Sequence, residues 1–144
     1  MRHQVRRRIQ PEQSGFTLIE LLVVIVVIAV LAAIAIPTFL SQSDKAEDSE
    51  AKTAVRTATS AAKDYFVDNE TYAGMDTAEL QAVEPSLNQG QGATITVVAN
   101  GATGYTLTVT SKSRNDFTIT EVDGVASRTC DTGGSAGCPT GGRW

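Results

Sequence analysis

The chain has 144 residues, 42% of them hydrophobic, and a net charge of −4. That length suggests one domain, and the near-average composition excludes a wholly disordered chain. The acid excess speaks against a broad nucleic-acid-binding face, which needs clustered Lys and Arg.

The first 15 residues form a basic stub carrying Arg2, His3, Arg6, Arg7 and Arg8 against one acid, Glu12. A small-residue site, Ser14-Gly15, ends the stub, and residues 21–36 then contain no polar side chain. In an ordinary secretory signal the apolar core precedes the cut and is discarded. Here a cut after Gly15 removes only the stub and keeps the apolar segment. What remains is 129 residues with 8 basic and 15 acidic side chains, a net charge of −7. His3 is the one histidine, so the remainder has no imidazole for general-base work or metal binding.

Residues 16–36 as a helix span about 31 Å, the thickness of a bilayer core. The segment is rich in Val and Ile, which favour helix weakly in water, but in lipid the backbone must satisfy its own hydrogen bonds. The leader arginines on one side and the acids between Asp44 and Glu50 on the other predict a cytoplasmic leader and an external bulk. Glu20 is the exception in this segment. It is either an acid near the headgroups, favoured by the helix N-terminus, or a charge with a dedicated partner. Pro37 removes a backbone donor, which reads as a helix boundary at the membrane surface or as a hinge.

Gly15-Phe16-Thr17-Leu18-Ile19-Glu20-Leu21, together with Pro37, resembles the cleavage and methylation site of type IV pilins and their relatives the pseudopilins. The resemblance runs from the leader to about Gln42. It implies a prepilin peptidase that cuts after Gly15 and methylates the new amine of Phe16. It also implies an inner-membrane assembly platform and polymerisation of the chain with itself into a helical filament. In that setting Glu20 pairs with the Phe16 amine of a neighbouring subunit, a pair that cannot exist before cleavage.

Beyond Pro37 the pattern becomes amphipathic. Phe39, Leu40, Ser43, Ala46, Ala51, Ala54, Val55, Ala58, Ala61, Ala62, Tyr65 and Phe66 recur near helical spacing. Charged residues, Asp44, Glu47, Asp48, Lys52 and Arg56 among them, fill much of the rest. Asp48 and Lys52 stand at the attractive i,i+4 spacing. One helix from Phe16 to about Val67 would be about 78 Å long if straight. Residues 68–92 read as a connection containing a short helix over 77–83, capped by Asp76 with Glu79 and ended by Pro85. Tyr72 reads as a packing residue or, alternatively, a ligand-stacking one.

The period then becomes two, with strands at 94–98, 105–110, 117–120 and 125–128. Turns fall at Asn100-Gly101, at residues 113–116 and at Asp123-Gly124, the last a strong hairpin signal. The expected fold is α+β: a long N-terminal helix whose second half packs on a three- or four-stranded antiparallel meander. Tyr105, Leu107, Val109, Phe117 and Ile119 should cover the alanine stripe, leaving a threonine face to solvent. In an exported domain Cys130 and Cys138 read as a disulfide closing a loop without a hydrophobic anchor, as pilins commonly have; free thiols are the alternative. Trp144 is expected to pack back on the sheet.

No P-loop, dinucleotide turn, zinc spacing or EF-hand loop is present, so neither a cofactor, a metal nor an enzymatic activity is expected. Asp64, Asp68, Glu70 and Asp76 read as a solvated acidic surface rather than a cation site. The expected organisation is a cleaved leader (1–15), a membrane and filament-core helix (16–37) and an external head (38–144). The expected function is a structural pilus subunit, first a single-pass protein of the cytoplasmic membrane and then part of an extracellular filament for adhesion, motility or DNA uptake. Two alternatives are a pseudopilin of a secretion or competence system and a membrane-tethered binding domain that never polymerises. The cysteine pair weighs against the first, and the Gly15-Phe16 junction with Glu20 against the second.

Overall fold

The structure is a computed structural model that describes residues 15–88, 94–131 and 133–144. Residues 1–14 of the leader expected over 1–15, the glycines at 90 and 92 and Thr132 of the C-terminal loop lie outside the described residues. The chain divides after Pro37 into two compact units, and the second, Thr38–Trp144, is called the head below. The elements in chain order are α1 (Leu18–Asn69), α2 (Thr77–Val83), a 3-10 turn (Pro85–Asn88) and four strands, β1 (Thr94–Ala99), β2 (Gly104–Thr110), β3 (Asp116–Val122) and β4 (Val125–Cys130). This is the α+β architecture expected from the sequence.

The strands pair antiparallel in the order β1-β2-β3-β4, a plain meander. Asp123 and Gly124, with φ of 51° and 80°, supply the two positive dihedrals that a two-residue hairpin turn requires. The register places Leu107 opposite Ile119 and Val109 opposite Phe117 on one face. With Tyr105 these side chains are buried, against Ala51, Val55, Ala58, Ala61, Ala62 and Tyr65 of α1. The helix brings mainly small side chains to this core, so its large residues come mainly from the strands. On the other face Thr108 meets Thr118 at 3.0 Å and Thr106 meets Thr120 at 3.3 Å, cross-strand hydroxyl pairs suited to a wet surface.

α2 begins where its cap predicts: the Asp76 carboxylate accepts the Glu79 amide at 2.9 Å. Tyr72 is a packing residue, with its ring between Phe66 at 4.7 Å and Tyr105 at 4.8 Å. The Tyr105 hydroxyl donates to Glu121 at 2.9 Å inside the core. Burial first, and then the Glu121 carboxylate, push the Tyr105 phenol well above its ordinary value. Trp144 packs edge-on against Phe117 at 5.7 Å and donates its indole N–H to the Thr129 carbonyl at 2.8 Å.

Two features depart from the helical pattern. Phe39 and Leu40, expected in the buried stripe, are 72% and 57% exposed, because burial along α1 begins only at Asp48. Asp48, expected among the solvent-facing charges, is fully buried. Its carboxylate accepts hydrogen bonds from Ser113 Oγ, from Asn115 Nδ2 at 2.7 Å and from the Gly137 amide at 2.7 Å. Lys52, one turn on, donates to the Gly137 carbonyl at 2.6 Å. The two side chains thus hold both polar groups of one residue in the C-terminal loop, where the spacing alone suggests that they pair with each other. A Cβ on Gly137 would lie 2.7 Å from Asp48 Cβ, so this approach requires glycine. Cys130 and Cys138 are joined by a disulfide that closes the same loop.

Burial alone would raise the Asp48 carboxyl, but the bonds from Ser113, Asn115, Gly137 and Ser111 outweigh it and hold the group below the ordinary aspartate value. A depressed folded value contributes stability above the unfolded value, about pH 4, and loses it as pH falls through the folded one. Asp48→Asn places an amide against donors and should cost about 2–3 kcal/mol near neutrality. It should also flatten the acid limb of stability. Thermal melts of the full chain in detergent micelles, compared across acid pH, check both. Reducing the disulfide should cost a further ~2.5 kcal/mol by the chain-entropy model, read from the same melts with and without reductant.

Candidate functional site

The residues singled out near the N-terminus fall at the start of α1. Gly15 to Thr17 precede the helix, which begins at Leu18. Thr17 therefore occupies the N-cap position and Glu20 the third helical position. The Glu20 carboxylate accepts from the Thr17 amide at 2.8 Å and from the Thr17 hydroxyl at 2.7 Å. In return the Glu20 amide reaches Thr17 Oγ1 at 3.3 Å. This is a capping box, two otherwise unpaired helix-end donors satisfied reciprocally. Its signature, Thr17-x-x-Glu20, stands in the sequence, but charge considerations alone draw attention only to the carboxylate.

Nothing among the described residues demands glycine at position 15. A Cβ there would meet no atom within 4 Å, and its φ is not among the positive ones. Phe16 is 90% exposed, and the large apolar side chains from Leu18 to Ile36 are all about half exposed or more. Among the described residues, α1 is long and apolar enough to cross a membrane. Pro37 lies inside α1, and the helix runs through it, so Pro37 does not end the helix. The division into two units falls at this residue. Cys130 and Cys138 belong to the head, in the loop held by Asp48 and Lys52, and Asp48 is the structural residue that sequence reasoning missed.

The arrangement offers an exposed helical segment, capped by Thr17 and Glu20 and apolar from Leu21 to Ile36, behind a Gly-Phe junction that no packing among the described residues explains. Comparison with known proteins bears on that same segment. Residues 11–36 match the family described as the prokaryotic N-terminal methylation motif. The chain is 42% identical over 65 residues to the type IV major pilin protein PilA of Myxococcus xanthus (strain DK1622). That match spans 45% of this chain and 30% of the relative's length. No solved structure matches the chain.

Thr17→Val keeps the shape and removes the hydroxyl of the cap. Loss of the cap is worth ~1 kcal/mol, so amide exchange over residues 17–20 in micelles should quicken about fivefold. Unchanged exchange would mean that the box does not hold the helix end. Through its N-terminal segment, then, the chain is type IV pilin-like.

Proposed function

We propose that the chain is a structural subunit of a type IV pilus rather than an enzyme. A prepilin peptidase cuts after Gly15 and methylates the amine of Phe16, so residues 1–15 are leader, 16–37 the membrane and filament-core helix and 38–144 the exported head. The observation that carries this reading is the exposed helical segment behind Gly15, apolar without a break from Leu21 to Ile36, in a chain whose head closes its own core without it. In the cytoplasmic membrane, lipid covers that segment. In an extracellular filament, other copies cover it, with burial worth about 25 cal/mol per Å² of apolar surface. An inner-membrane assembly platform moves the subunit between the two.

Glu20 has a role in both states. Its capping box satisfies the carboxylate within its own chain. After cleavage the Phe16 amine of a neighbouring copy offers a full positive charge, and a charge-assisted bond in a low-dielectric core is stronger than a neutral one. Exchange from the Thr17 hydroxyl to that amine sets the axial register between copies. Pro37, with no N–H to donate, gives α1 a point at which it can bend as copies pack. The match to a protein named as a major pilin supports a pilus over a pseudopilus, and so does the disulfide-closed loop.

The intact mass of protein sheared from the surface of expressing cells tests this reading. The expected chain starts at N-methylated Phe16 and lacks two hydrogens for the disulfide. Protein found only in membranes and still carrying residues 1–15 would overturn the proposal. Glu20→Gln, which keeps the shape but loses the charge, should process normally yet reduce sheared filament about tenfold or more, as removal of one partner from a buried ion pair implies.

A further inference from the structure

Three of the eight basic residues beyond Gly15 converge on one indole. Arg56 lies 5.3 Å from the Trp144 ring centre, Arg128 5.7 Å and Lys52 5.9 Å. Arg56 and Arg128 are exposed, and among the described residues neither guanidinium meets a carboxylate. The indole face attracts each cation, but the cations repel one another, so an anion brought to this patch is favoured. The cations already occupy the indole, which leaves little free face for a base or sugar to stack on. What stays open is the planar donor fork of each arginine, whose geometry suits carboxylates.

The opposite edge of the sheet carries the complement. Arg128 sits on β4 and Ile95 on β1, the two edge strands of the meander. Along β1, a groove of about 430 Å³ runs between α1 and the 3-10 turn, with small α1 residues such as Ala46 and Ser49 on one side and Leu87 and Ile95 on the other. Glu50 lies on its wall, and Asp44 and Glu47 precede Glu50 at three-residue spacing on α1. Among the described residues, none of these three carboxylates has a cationic partner.

A basic knob at one edge and a row of acids on α1 beside the groove at the other do not pair within one copy. They can meet between copies repeated in the same sense, and such a head-to-tail contact generates a helical filament rather than a closed pair. We infer that the Arg56–Arg128–Trp144 patch of one head docks against the α1 face of a second copy that carries Asp44, Glu47 and Glu50, with Glu50 on the wall of the groove, a lateral contact added to the apolar helices. The inference rests on the filament reading above and names the surface by which neighbouring heads recognise each other.

Charge exchange in the full chain, expressed in cells and read as sheared filament, tests it. Arg56→Glu with Arg128→Glu should lower filament about tenfold, since like charges placed across an interface cost several kcal/mol. Asp44→Lys, Glu47→Lys and Glu50→Lys together should do the same. Combining both sets should restore filament. The membrane pool and its non-reducing gel mobility report that each variant still folds and oxidises. Independently, Arg128→Cys with Glu50→Cys should give disulfide-linked ladders from filaments. Normal assembly by both reversed variants, with no ladder, overturns this inference and leaves the pilus reading standing. Loss by the basic reversal without rescue and without ladders also overturns it, by assigning the patch to another polyanion. A wild-type chain that forms no filament removes both readings together.

Discussion

The Asp48 carboxylate is the constraint on which the head depends. A buried charge is costly unless its acceptor sites are filled. Here they are filled from two places distant in sequence: Ser113 and Asn115 in the β2–β3 connection, and Gly137 in the disulfide loop. One carboxylate therefore fixes three segments against one another. The β2–β3 connection has to present two side-chain donors, the C-terminal loop has to present a glycine amide, and α1 has to lie close enough to meet both. Apolar packing of the sheet on the alanine stripe supplies most of the burial, but it is non-directional. The hydrogen bonds to Asp48 specify where along the helix the sheet sits.

Much of this fold is legible in the residues. The alternation of Thr with Tyr, Leu, Val, Phe and Ile over 105–110 and 117–120 gives both the strands and their buried face. Asp123-Gly124 gives the hairpin, and Asp76 gives the start of α2 within a residue. These signals are local, and local chemistry decides them. The methylation-type junction is legible for a different reason: it is a compact string of residue types, within the motif matched over residues 11–36, that packing does not require.

What the pattern hides is decided at long range. Asp48 looks like any other charge on a helix whose neighbours are Glu47, Ser49 and Glu50, because its partners stand 65 to 89 positions away. Lys52 is concealed in the same way, since its acceptor is a backbone carbonyl that no side-chain pattern reveals. Phe39 and Leu40 fail in the opposite sense. Periodicity marks them as apolar but cannot say whether the covering surface belongs to the same chain. The convergence of Arg56 and Arg128 on Trp144 is likewise invisible until three segments meet.

The position of Asp48 also has a mechanical consequence. It is the first buried side chain along the α1 portion of the head, so tension carried by the helix meets it before any other core contact. The donors it holds lie in segments with little slack: one is closed by the β2–β3 hairpin and the other by a covalent link between Cys130 and Cys138. A pull on the helix is therefore shared at once between two tethered loops and is not left to peel the sheet away strand by strand. The hydroxyl, amide and carboxylate at this point act as a rivet between the helix and the two loops.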